Sequence, residues 1–96
     1  METIYKYRIE ITDRQLIRLP VGRKIIHAGP DPMGTPCLWA IIDTEDPAFP
    51  EELFIVGTGN PMPPLASEHI GSFVQGQFVW HAFLSIFEPD APFAER

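Results

Sequence analysis

The chain contains a single cysteine, Cys37, which excludes any disulfide within it. Leu38, Trp39, Ala40, Ile41 and Ile42 follow it directly, a setting that predicts a buried thiol in a reducing cytoplasm, not a nucleophile. Basic residues are almost absent after the first quarter. From Ile25 to Glu95 there is no Lys or Arg, against ten acids, and the net charge is −6. So one-sided a map argues against generic binding of double-stranded nucleic acid, because neutralising phosphates needs a broad basic footprint. No apolar run approaches the roughly 20 residues that span a bilayer. The start, Met1 to Arg8, is charged and alternating, unlike a secretory signal. A soluble, cytoplasmic protein is the expectation.

Catalytic spacings are missing too. His27, His69 and His81 are far apart, with no paired metal-ligand spacing. Asp43, Glu45, Asp46, Glu51 and Glu52 lack the glycine and ligand spacing of a calcium loop and read as a solvated acidic surface. Ser67, Ser72 and Ser85 sit in no nucleophile elbow. No catalytic residue, metal or cofactor is expected.

What is present is β-patterning cut by turn residues. With 96 residues, 45% of them apolar, the chain is one domain with a modest core, and a homo-oligomer would add to its buried surface. Residues 3–12 alternate, with Tyr5, Tyr7, Ile9 and Ile11 on one side and Lys6, Arg8, Glu10 and Thr12 on the other, which predicts a half-buried strand. Residues 15–19 and 23–28 read as short strands separated by Pro20-Val21-Gly22. After a loop dense in Gly and Pro, 37–42 and 53–56 are continuous apolar runs, as in strands covered on both faces. The acidic, proline-bearing stretch 43–52 reads as a loop with room for one helical turn. Residues 69–74 and 77–87 read as a hairpin around Gln75-Gly76; helical spacing of Ala82, Phe83, Ile86 and Phe87 leaves a short helix open there. The reading is therefore an all-β, mainly antiparallel sandwich or small barrel over 1–87, followed by a tail over 88–96.

Two features could hold an anionic ligand. The first is the basic quarter, Lys6, Arg8, Arg18, Arg23 and Lys24. The second is Gly57-Thr58-Gly59-Asn60, where glycines after a strand can aim N–H groups at an anion. No third glycine, helix or lysine follows, so neither a dinucleotide fingerprint nor a phosphate loop is met, and a sharp corner explains the glycines equally. The basic and acidic zones either neutralise each other within the domain or meet head-to-tail between copies.

An ordered set of segments carries a resemblance: Thr3-Ile4-Tyr5-Lys6-Tyr7, Ile11-Thr12-Asp13, Pro36-Cys37-Leu38-Trp39-Ala40 with Asp43, Gly57-Thr58-Gly59-Asn60-Pro61, and Phe78-Val79-Trp80-His81 with Phe83. In these the chain resembles a small domain family of unknown function encoded by bacteriophages and prophages. Asn60 stands where that family commonly has histidine, and the chain runs on past residue 83, where relatives tend to stop. The resemblance implies a phage accessory protein in the bacterial cytoplasm and transfers no catalytic residue. Three functions compete on this reading. One is binding of a host or phage protein, for instance against a host defence. Another is an oligomer that captures a small anionic ligand such as a nucleotide signal. The third is a virion-associated structural part.

Overall fold

A computed structural model describes residues 1–85. Among them there are seven strands and no helix: β1 (Glu2–Arg8), β2 (Arg14–Pro20), β3 (Lys24–Pro30), β4 (Pro36–Asp43), β5 (Ala48–Gly57), β6 (Glu68–Gln75) and β7 (Phe78–Leu84). All pairings are antiparallel, in a three-stranded sheet of order β1-β4-β3 and a four-stranded sheet of order β2-β5-β7-β6.

Alternation decides which side chains meet between the sheets. Leu38 and Ala28 come from the first sheet; Ile17, Leu19, Leu53, Ile55, Phe73, Ala82 and Leu84 come from the second. Leu19, Leu38, Leu53 and Leu84 are fully buried. Burying side chains of this size stabilises by roughly 1.5–3 kcal/mol each, against the entropy of ordering the chain. The sheets come closest where β3 passes β6. A Cβ on Gly71 would lie 2.6 Å from the Cβ of Ala28, so only glycine admits this approach. Both strands carry an irregularity just before the contact, between Ile25 and His27 and between His69 and Gly71. Such bulges bend a strand and increase its twist, which turns these edges towards each other.

The expected strands are present, with three differences. The first strand ends at Arg8, not Thr12: Glu10 leaves the ladder to exchange hydrogen bonds with the Gln15 side chain, which closes the turn into β2. The expected acidic loop over 43–52 is shorter, because β5 starts at Ala48 and includes Pro50. Val21 N–H bonds the Pro47 carbonyl, and the register sets Pro50 opposite Arg18. By alternation that is a non-hydrogen-bonded position, where the missing proline N–H points away from β2. The run 37–42 is not covered on both faces, since Trp39 and Ile41 are only half-buried on the outward side. Ala82, Phe83 and Leu84 are strand, as the hairpin reading has them, while Ile86, Phe87 and the expected tail over 88–96 lie outside the described residues.

Candidate functional site

The basic residues do not converge. Lys6 and Arg8 are on β1, Lys24 opens β3, Arg18 is in the other sheet on β2, and Arg23 is in the β2–β3 turn. Most have an acid or carbonyl of their own. Lys6 Nζ donates to Asp31 at 2.9 Å, which raises the lysine pKa and lowers that of Asp31, whose other oxygen accepts N–H groups from Met33 and Thr35. Arg14 pairs with Glu52, and Arg23 with Glu51. Arg18 donates to the Ala48 carbonyl at 2.7 Å, and Arg8 reaches Glu10 only at 3.8 Å. Burial raises the Glu51 carboxyl above the ordinary glutamate value, and Arg23 offsets this only in part. The basic quarter is thus largely engaged with acids of the same chain.

The glycine segment after β5 forms a corner. Gly59 has φ of 91°, Asn60 N–H donates to the Gly57 carbonyl, and Thr58 N–H donates to the Val79 carbonyl. Two of the N–H groups proposed for an anion are therefore turned to main-chain carbonyls. Thr58, however, joins a group that no spacing revealed.

That group lies on the outward face of the second sheet, where Ser72 on β6 stands opposite His81 on β7. His81 Nδ1 is 2.7 Å from Ser72 Oγ, and its Nε2 is 2.8 Å from Thr58 Oγ1. His69 Nε2 is 2.9 Å from the same Ser72 Oγ, and the His69 ring packs on Phe83 with centroids 5.1 Å apart. One proton order is consistent along the chain of groups. Thr58 hydroxyl points to the Val79 carbonyl and accepts His81 Nε2–H; Ser72 donates to His81 Nδ1 and accepts from His69 Nε2–H. The β6 bulge explains why this was hidden. Residues three apart on a regular strand face opposite ways, but the extra residue between His69 and Gly71 restores His69 to the Ser72 side.

The same face continues to the end of the β6–β7 hairpin. Gln75 pairs with Phe78, leaving the two-residue loop Gly76-Gln77, and Gly76 has φ of 59°, the conformation a tight hairpin turn of this kind requires at its first position. Just behind the loop, Val74 and Val79 sit opposite each other, 61% and 40% exposed. On the opposite face of the hairpin, Phe78, also 61% exposed, stacks on Trp80 with centroids 5.5 Å apart, and Trp80 donates to Gln75. An open depression of about 390 Å³ between Asp13, Val56, Asn60 and Met62 borders the Thr58 corner. Among the described residues no group of three or more His, Cys, Asp or Glu is placed to hold a metal ion.

A family model described as a domain of unknown function, DUF7352, matches residues 1–91. The chain belongs to the DUF7352 family. No curated protein and no solved structure matches it. The relay and the hairpin both fall inside the DUF7352 span, so they are parts of the domain itself.

Proposed function

We propose that this DUF7352 domain is a non-enzymatic accessory protein that acts by binding another protein through the β6–β7 hairpin face. The observation that carries this reading is the exposure of Val74 and Val79, opposite each other on one face of a hairpin held by a two-residue turn. Large apolar groups on a rigid, projecting element lose little entropy on docking and supply the desolvated centre of an interface. Thr58, Ser72, His69 and His81 flank them with polar groups already fixed in direction. The partner is a host or phage protein in the bacterial cytoplasm, with counter-defence as one such role. That setting is supported by the ordered motifs from Thr3-Ile4-Tyr5 to Trp80-His81.

Affinity capture from host lysate, with wild type beside a Val74→Lys/Val79→Glu variant, tests the binding face. A protein held in stoichiometric amount by wild type and lost, about 100-fold weaker, with the variant is the expected result. Equal retention by both overturns this face as the contact. Genomic position tests the setting: genes for family members should fall within prophages, and a scatter unrelated to them would count against it.

A further inference from the structure

We infer that the chain pairs with a second copy of itself along the free edge of β1, antiparallel and centred on Tyr5. β1 ends its sheet, and among the described residues β4 is the only strand packed along it. The direction of its main-chain groups follows from the bonds at either end of the ladder. Thr44 N–H donates to the Met1 carbonyl and Ile9 N–H donates to the Pro36 carbonyl, so odd-numbered residues face β4. Glu2, Ile4, Lys6 and Arg8 therefore turn their N–H and C=O groups outward. The edge carries neither a proline nor a bulge to block pairing, and Lys6, its one outward lysine, is neutralised by Asp31.

A second β1 can satisfy these groups only by setting even residues against even ones. Centring on Lys6 opposes two lysines, which is unfavourable. Centring on Ile4 asks Glu2 to meet Lys6, already held by Asp31, and leaves Arg8 out. Centring on Tyr5 pairs all four outward residues: Glu2 with Arg8 of the second copy, Ile4 with its Lys6, and both again by symmetry. Arg8 is suited to this, being 74% exposed and held only at 3.8 Å by Glu10. Exposed Ile4 gains the Lys6 stem of the second copy as cover, and exposed Tyr5 meets its own counterpart. The strand is thus self-complementary in charge, hydrogen bonding and shape, as a two-fold interface must be.

The other free edge shows the contrast. On β2 the outward residues are Arg14, Leu16, Arg18 and Pro20, and full-length self-pairing there sets Arg14 against Pro20, which has no N–H to donate and whose carbonyl already accepts from Arg23 N–H. The remaining edges, β3 and β6, are packed against each other. Among the edges of the described residues, only β1 accepts its own copy along its full length. The contact is independent of the hairpin face, so either reading stands or falls without the other.

Sedimentation equilibrium on the full chain at micromolar to about 100 µM concentration tests the inference, since an interface of this size is of modest affinity. Wild type should sediment as a dimer. Arg8→Glu and Glu2→Arg, each opposing like charges twice, should weaken dimerisation roughly tenfold. The double swap Glu2→Arg/Arg8→Glu should return it to near the wild-type constant, with far-UV circular dichroism unchanged throughout. A monomer at 100 µM overturns the inference. So does a dimer whose dissociation constant ignores the single reversals, because it must use another surface; a double swap no tighter than the single variants overturns the Glu2–Arg8 pairing.

Discussion

Asp31 and Cys37 lie near Lys6, and their ionisation follows from opposite causes. Asp31 is held below the ordinary aspartate value first by the Lys6 ammonium and then by the Thr35 N–H. A carboxyl with a lower pKa folded than unfolded adds stability above its unfolded value. That stability is lost as pH falls through the folded one. Thermal melts should therefore place Asp31→Asn below wild type near pH 7, with the gap closing below about pH 4. A gap unchanged by acid would mean that Asp31 acts without its charge. Cys37 runs the other way: burial chiefly, then the negative Asp31, pushes its thiol up. It is 1% exposed, so a disulfide reagent should label the native chain far more slowly than the denatured one. Equal rates would place the thiol at the surface. The apolar run that Cys37 opens pointed to this burial, although Trp39 and Ile41, two and four residues along on the same face, stay half-exposed.

At the scale of elements, Gly71 is where a small change has the largest consequence. A methyl there meets Ala28 Cβ at 2.6 Å and its N at 3.3 Å, both parts of a packed strand with little room to move. Gly71→Ala should destabilise by about 1–3 kcal/mol, and Ala28→Gly in the same chain should recover part of it. Loss of stability in urea unfolding without any recovery would point to backbone strain at Gly71 in place of the clash. The strand pattern itself was readable, since β2, β4, β6 and β7 announce themselves by alternation or by apolar runs between turn residues. Its failures have local causes. Pro50 argued against a strand, yet it occupies a position where no N–H is needed. The relay of His69, Ser72, His81 and Thr58 escaped notice because a bulge changes face without leaving a mark in residue type. Periodicity finds what repeats; a bulge is a single break in the repeat.

The two sheets carry one tryptophan each, Trp39 on β4 and Trp80 on β7, and this makes the cohesion of the whole molecule measurable. Leu38 and Ala28 of one sheet share a core with Leu19, Leu53 and Leu84 of the other. Neither sheet can bury its inner face alone, and β1, β2 and β5 all pair with strands distant in sequence. Such an arrangement unfolds as a unit, because exposing half of the core removes the support of the other half. In Trp39→Phe only Trp80 reports, and in Trp80→Phe only Trp39. Each substitution will shift the midpoint by its own cost, so the comparison belongs within each variant. Fluorescence and far-UV circular dichroism should trace the same urea transition in both. If Trp39 fluorescence changes before the dichroism of the same chain, the β1-β4-β3 sheet opens on its own and the shared core is not what joins the two.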